Sequence, residues 1–240
     1  MRPPYQILLA LAALALALAL GGYLRTSRLD LRPMHTDEAI QADRLGTMLE
    51  GGGFAYNPED GHGPGLLYVT APIAWLAGAN TYAELSETIV RLGPAVCGIL
   101  LIAAAALFWN VIGPAGVAAA ALLSALSPMH VYYSRYFIME LPMVLMLALF
   151  LFCLWRYYQR PSLSWMIAAG ICGAWMHATK ETFVISIAAL LFAIAIVFGI
   201  AKLRKSPVAE DLRMPSLLRH AGIGFAISLL VSAVLYSFFF

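Results

Sequence analysis

Two adjacent acids and a histidine follow the first long apolar run of the chain, in the stretch His35-Thr36-Asp37-Glu38. A carboxylate in this position can take a proton from a substrate hydroxyl, as a general base does. The stretch also has a structural interpretation, because Thr36 is a good helix N-cap and acids in the first turn complement the helix dipole. The residue pattern by itself favours the cap and leaves the catalytic interpretation open.

Three further stretches place polar groups between apolar ones. They contain, in chain order, His62 and Pro64, then Arg135 and Glu140, and finally His177, Lys180 and Glu181. Ionisable groups between apolar helices point to a functional site by default, because a bilayer makes them costly. Each also has an ordinary alternative: a solvated histidine at a helix start, an arginine that reaches phospholipid headgroups, or an exposed Lys–Glu pair. If a helix continues through residue 181, the last three residues share one face.

The composition is that of a membrane protein. Of 240 residues, 62% are hydrophobic and 12% charged, and a soluble domain carries about twice that share of charge. The net charge of +2 gives no reason to expect a nucleic-acid partner. Cys97, Cys153 and Cys172 lie inside apolar runs without CxxC spacing, so we interpret them as small buried hydrophobic residues and expect no structural zinc site.

Seven apolar runs are long enough, or nearly so, for transmembrane helices. They are residues 7–20 with their tyrosine flanks, 93–112, 115–131, 141–158, 163–178, 183–200 and 221–240. The sequence therefore predicts an all-α integral membrane protein with about seven transmembrane helices in a single domain, residues 1–240. The first run is interpreted as an uncleaved anchor. Because the chain ends inside an apolar run, we expect a further C-terminal part.

Residues 64–78 are apolar but too short for an easy span, which favours a juxtamembrane or re-entrant helix. With a cytoplasmic N-terminus, residues 25–92 then form an outer loop on the same face as the turns near Arg135 and Lys180. A rival arrangement, in which residues 64–78 cross, agrees better with the positive-inside rule but separates Asp37 from both cations. We favour the first arrangement. Residues 37–50 have an amphipathic pattern, which predicts a helix at the membrane surface.

The order of these motifs resembles that of the GT-C membrane glycosyltransferases. An acidic pair is followed by HGPGLLY at residues 62–68, SRYFIMELP at 134–142 and TKET at 179–182. The resemblance covers the dolichyl-phosphate-mannose–protein mannosyltransferases and the bacterial transferases that move aminoarabinose onto lipid A. It is closest to a prokaryotic branch whose name is associated with flippase activity.

The resemblance implies roles for individual residues. It makes Asp37 the catalytic acid, places His62 and Pro64 at the donor site, and puts Lys180 near the donor phosphate. Glu140 stands where the family usually has aspartate, and the longer side chain leaves its metal or acceptor role open. The implied donor is a sugar on a polyprenyl phosphate, and the acceptor is a lipid, glycan or protein. The implied location is the extracytoplasmic face of the plasma membrane.

The expected reaction inverts the anomeric centre, with Asp37 as base and Glu38 as the second candidate. Arg135 and Lys180 are expected to hold the leaving phosphate. The expected substrate contacts are His62, Pro64, Glu140, His177 and Glu181. The sequence identifies no cofactor with certainty, and a divalent ion shared by Asp37 and Glu140 stays open. The alternatives are a transport or flippase-associated protein without transfer activity, and a non-catalytic scaffold or inactive copy.

Overall fold

The computed structural model describes residues 4–56, 62–204 and 214–237, and every regular element in them is helical. The helices are α1 (Pro4–Thr26), α2 (Thr36–Thr47), α3 (Gly65–Leu76), α4 (Glu87–Ala104), α5 (Trp109–Leu126), α6 (Pro128–Ser134), α7 (Glu140–Gln159), α8 (Leu163–Thr179), α9 (Phe183–Leu203) and α10 (Met214–Tyr236). Short π and 3-10 turns occupy Met48–Gly52, Tyr82–Glu84 and Ala105–Phe108. The last three residues of the predicted span 221–240 lie outside the described part.

Five helical stretches in the described part are long and apolar enough to cross a membrane. They are Tyr5–Thr26, Glu87–Leu126, Glu140–Gln159, Phe183–Leu203 and Ser216–Tyr236. The second has 40 residues and contains both α4 and α5. It bends at Gly113, whose φ of 71° is easy for glycine, and Pro114 starts the second leg. The helix α8, of 17 residues, packs between α7 and α10. These apolar helices confirm the all-α membrane fold.

The ends of several helices gather at one end of the bundle, which we call the site end. Arg25, at the end of α1, donates to the carbonyl of Ala125, at the end of α5, at 3.0 Å. Tyr236, at the end of α10, donates to the carbonyl of His177, near the end of α8, at 3.2 Å. Since α7 begins and α8 ends at this same level, neighbouring legs are antiparallel and the connections at the site end can meet.

The short helix α3 stays at the site end and does not cross the bundle. Its first residue, Gly65, lies against Thr179 at the end of α8. After α3, the backbone N–H of Tyr82 donates to Glu50 at 2.8 Å, so the chain is again beside the segment that follows α2. The chain before and after α3 therefore lies on the same side of the bundle, and the orientation of the bundle in the membrane stays a prediction.

The apolar side of α2 faces protein rather than the membrane surface. Ala42, Leu45 and Met48 are buried in a core that also contains Leu66 of α3 and Phe137. The amphipathic pattern of residues 37–50 correctly predicted a helix. The prediction that its apolar side contacts the membrane surface was wrong. Because other segments of the same chain cover this apolar side, α2 is held rigidly against α3 and the 135–139 turn.

Candidate active site

An open cavity of about 130 Å³ lies at the site end. Its charged and ionisable lining residues are Asp37, His62, Glu140 and Lys180, and the others are Ile40, Gln41, Ile138 and Met139. These side chains come from α2, the segment before α3, the start of α7 and the α8–α9 turn. The fold therefore brings together one member of each polar stretch that the sequence singles out.

Asp37 is the accessible acid of the pair. It is the second residue of α2, its side chain is 65% exposed, and its Oδ2 lies 3.5 Å from Nδ1 of His35. A helix N-terminus favours a negative charge at this position. The cap itself differs from the prediction, since His35 and not Thr36 is the N-cap and accepts from the N–H of Asp37 at 3.4 Å. Asp37 thus lines the cavity, and its one ion-pair partner in the described part of the chain is His35.

Glu38 is fully buried and bonded on all sides. Arg91 binds it in a bidentate pair, at 2.8 Å to Oε1 and 2.9 Å to Oε2. The backbone N–H groups of Phe137 and His35 donate to it at 2.9 and 3.1 Å, and Arg32 adds a bond at 3.1 Å. Burial by itself raises the pKa of Glu38, but the bonds from Arg91, Phe137 and His35 outweigh it and hold the pKa below its ordinary value. Glu38 therefore fastens α2 in place, and this geometry speaks against a catalytic role.

The lowered pKa of Glu38 makes the stability of the protein sensitive to acid. A carboxylate with a native pKa below its unfolded value, about 4.3 for glutamate, stabilises the fold fully above that value. This contribution is lost as the pH falls from about 4.3 through the lower native pKa. We expect Glu38→Gln to lower the melting temperature near neutral pH and to flatten the decline between about pH 5 and 3, as thermal unfolding in detergent at several pH values would show. A decline identical to that of the parent would contradict this role.

Lys180 and Glu140 form an ion pair in the wall of the cavity. The Nζ of Lys180 lies 2.7 Å from Oε1 of Glu140. The second oxygen of Glu140, Oε2, is buried and has no hydrogen-bond partner among the described residues. Buried polar atoms are rarely left without a partner, so Oε2 marks a place where a bound donor group would gain a bond. Glu140 at the start of α7 is thus joined to Lys180 in the turn after α8.

His62 and Glu181 connect the first loop to the α8–α9 turn. The Nδ1 of His62 lies 2.9 Å from Oε2 of Glu181. The chain before α3 approaches the end of α8 so closely that a Cβ on Gly63 would collide with the carbonyl of Ala178. Pro64 is buried and precedes α3 as its N-cap. Pro64 thus fixes the start of α3 and is absent from the lining of the cavity.

His177 does not share a face with Lys180 and Glu181, because the helix does not continue through residue 181 as that arrangement requires. The helix α8 ends at Thr179, and Lys180 has an extended backbone with φ −153° and ψ 134°. His177 instead points between α8 and α10, where its Nδ1 lies 3.1 Å from the hydroxyl of Ser232. Residues three and four apart are neighbours only while the helix continues.

Arg135 is also outside the cavity. Its guanidinium donates to the carbonyls of Leu24 and Ser27 at 2.7 Å each, and to that of Arg28 at 3.2 Å. These carbonyls belong to the last turn of α1 and the residues after it, which no helical N–H satisfies. Arg135 therefore stabilises the end of α1, and the structure separates it from Lys180.

The donor set of the cavity is a poor fit for a divalent ion. Across residues 4–56, 62–204 and 214–237, no three side chains of histidine, cysteine, aspartate or glutamate gather closely enough to hold a metal. In addition, the ammonium of Lys180 is bonded to Glu140, one of the two candidate ligands. A cation placed there would be repelled by Lys180.

The arginine that matters most to α2, Arg91, was not singled out from the sequence. It is 1% exposed and lies in the second turn of α4, where apolar residues follow it. A single charge at the start of an apolar run has a ready interpretation as a surface anchor, and this hid its role. The sequence did contain one signal. An arginine next to a long apolar run needs an acidic partner if it becomes buried, and Glu38 was available as that partner.

Comparisons with known proteins agree with this geometry. Residues 35–240 match the sequence model of a family described as dolichyl-phosphate-mannose-protein mannosyltransferase. The S. cerevisiae protein O-mannosyltransferase Pmt1–Pmt2 complex, solved bound to the sugar donor, has a similar fold, with a TM-score of 0.69 and 16% identity over 95% of this chain and 32% of that one. This chain thus spans about a third of that relative's length. No curated protein sequence matches.

Proposed function

Because this chain belongs to the dolichyl-phosphate-mannose-protein mannosyltransferase family of membrane glycosyltransferases, we propose that it transfers a sugar from a polyprenyl phosphate to an acceptor hydroxyl. The acceptor is carried by a lipid, a glycan or a protein. The reaction inverts the anomeric centre at the extracytoplasmic face of the plasma membrane. The resemblance seen in the motif order is confirmed for the family, whereas the prokaryotic branch and the C-terminal continuation stay predictions.

The observation that carries the proposal is the cavity that joins Asp37 to the Lys180–Glu140 pair at one end of the membrane legs. A polyprenyl donor keeps its tail in the bilayer and presents its phosphate and sugar at the boundary. A cavity at the ends of apolar helices is accessible to such a head group. Its acid and its cation match the two requirements of the reaction, a base for the acceptor and a positive charge for the phosphate.

Asp37 acts as the base in this proposal. As a carboxylate it takes the proton of the acceptor hydroxyl while the hydroxyl oxygen forms a bond to the anomeric carbon. The bond between that carbon and the phosphate oxygen breaks, and the phosphate leaves with the electron pair. Two features support Asp37 over Glu38: its side chain is 65% exposed, whereas the oxygens of Glu38 are fully engaged with Arg91, Phe137 and His35.

Lys180 stabilises the leaving phosphate. A lysine has three N–H donors, and Glu140 uses one of them in the resting site. The remaining donors can bind phosphate oxygens without breaking this pair, so Glu140 positions the ammonium. The buried Oε2 of Glu140 can then accept a bond from a sugar or acceptor hydroxyl. The His62–Glu181 pair closes the side of the cavity next to the α8–α9 turn.

The role of Lys180 is tested by Lys180→Ala in membranes supplied with dolichyl-phosphate mannose, the donor named in the family description. We expect the donor KM to rise at least about tenfold, since a charge-assisted bond to phosphate contributes about 1.5–3 kcal/mol. The acceptor KM should change much less. The donor KM is obtained from initial rates at varied donor and saturating acceptor. The acceptor KM is obtained from initial rates at varied acceptor and saturating donor.

The matched control for this test is Lys202→Ala, which removes an exposed lysine at the far end of α9. It should leave both KM values unchanged. An unaltered donor KM in Lys180→Ala would exclude the phosphate role. A different result would be that the unmodified protein moves dolichyl-phosphate mannose across the membrane without forming a glycosylated product. That result would replace the transferase proposal with the flippase-associated alternative.

A further inference from the structure

A second cavity, of about 200 Å³, lies beside the end of α1 and is lined mainly by cations. Four arginines line it, together with Tyr132 and two leucines, and we call it the arginine pocket: Arg28, Leu29, Leu31, Arg32, Arg91, Tyr132 and Arg135. It shares no lining residue with the cavity that contains Asp37. We propose that the arginine pocket binds the phosphate headgroup of an anionic membrane lipid.

The arginine pocket carries more positive charge than its bonded acids neutralise. Among the described residues, Glu38 is the one carboxylate in an ion pair with any of the four arginines, and it binds Arg91 and Arg32. Within the part of the chain that the structure describes, Arg135 donates to neutral carbonyls alone, and the exposed Asp30 forms no ion pair with the four arginines. Burial, followed by repulsion from Arg91 and Arg32, lowers the pKa of Arg135. An anion would relieve this repulsion.

Two of the arginines are held in position before any ligand arrives. Arg91 is 1% exposed and bonded to Glu38 and to the carbonyls of Leu29 and Arg32. The guanidinium of Arg32 lies over the ring of Tyr136, 4.9 Å from its centre, and is 5.8 Å from that of Tyr132. Planar guanidinium groups bind phosphate through paired N–H donors. Arg91 gives all five of its N–H donors to Glu38 and to backbone carbonyls, so it supplies charge alone. The donors for the phosphate therefore come from Arg28, Arg32 and Arg135, and a group of arginines held in place in this way binds an anion more tightly than scattered surface arginines do.

The surroundings of the arginine pocket indicate a lipid and not a soluble phosphate. The pocket lies at the end of α1, a membrane-length helix whose Tyr23 is 69% exposed. At the pocket itself, Leu31 is 62% exposed and Tyr132 52% exposed. Exposed aromatic and apolar side chains next to arginines are typical of the boundary between membrane and water. A ligand with a phosphate head and apolar tails satisfies both kinds of surface.

The experiment measures lipid binding to the purified full-length protein in detergent by native mass spectrometry, with thermal unfolding as a second readout. The probes are phosphatidylglycerol, phosphatidylcholine with the same acyl chains, and inorganic phosphate. We expect one saturable phosphatidylglycerol that raises the melting temperature. Arg28→Gln should weaken its binding about fivefold or more, and Arg28→Gln with Arg32→Gln about tenfold or more, since each removes a charge-assisted bond.

The single variant keeps the test independent of folding, because the side chain of Arg28 is exposed and makes no bond to the described protein. The control is Arg160→Gln, which removes an exposed arginine after α7, at the other end of the bundle. It should leave the binding of phosphatidylglycerol unchanged. Equal binding of phosphatidylcholine, or equal losses in Arg160→Gln and Arg28→Gln, would overturn the proposal. Equal stabilisation by inorganic phosphate would overturn the assignment to a lipid.

Discussion

Replacement of Asp37 by asparagine is expected to reduce sugar transfer at least about a hundredfold, because general-base catalysis typically contributes 10²- to 10⁴-fold. Asparagine has almost the same shape but cannot accept the proton of the acceptor hydroxyl. Since the side chain is 65% exposed, the free energy of unfolding should change by less than about 0.5 kcal/mol. Transfer from dolichyl-phosphate mannose, normalised to the amount of protein in the membrane, measures the effect.

The control for this variant is Asp43→Asn on the same helix. Asp43 is exposed and does not line the cavity, so transfer should stay at the parent level. A second comparison, Asp37→Glu, restores the carboxylate on a longer side chain and should recover part of the activity. Normal transfer by Asp37→Asn would show that another group removes the proton, and the assignment of the base would be wrong.

Replacement of Arg91 by glutamine is expected to produce the largest loss of stability, about 3–5 kcal/mol. The substitution leaves the carboxylate of Glu38, which is fully buried, without its bidentate partner. It also takes the donor from the carbonyls of Leu29 and Pro33. Unfolding by denaturant or heat in detergent should detect the change. Because the pair fixes the start of α2, and therefore Asp37, transfer should also fall.

The interaction between the charges of Arg91 and Glu38 can be measured with a double variant. Combining Arg91→Gln with Glu38→Gln removes the buried charge that either single change leaves behind. The loss in the double variant should therefore be smaller than the two single losses added together, by about 1 kcal/mol or more. The exposed Arg160→Gln supplies the baseline for removal of an arginine. Strictly additive losses would mean that the pair contributes no interaction of its own.

The helical membrane fold could be predicted from the sequence because it depends on local hydropathy. Each apolar run must satisfy its own backbone inside the bilayer, and an α-helix does this without help from distant residues. The runs at 141–158 and 183–200 therefore correspond closely to α7 and α9. The positions of the polar stretches at helix ends followed for the same reason, since a charge is tolerated where an apolar run stops.

The pairing of the polar side chains could not be predicted in this way, because it depends on contacts between distant parts of the chain. Glu38 and Arg91 are 53 residues apart, and Glu140 and Lys180 are 40 apart. The spacing of His177, Lys180 and Glu181 could place them on one face only in a continuous helix, and the helix ends between the first and second of them. Arg135 misled the prediction, because carbonyls more than 100 residues away bind it.

At the pair Asp37-Glu38, the sequence and the tertiary structure determine different properties. The sequence by itself determined that an acidic pair begins a helix after the first membrane leg, and the motif order identified the family. The residue pattern could not distinguish the two carboxylates, which are adjacent and chemically alike, and the choice of Asp37 came from the resemblance. The tertiary structure gives them different surroundings, because α4 brings Arg91 to Glu38 and buries both. Asp37 is on the other side of the same turn, open to the cavity that also contains Lys180.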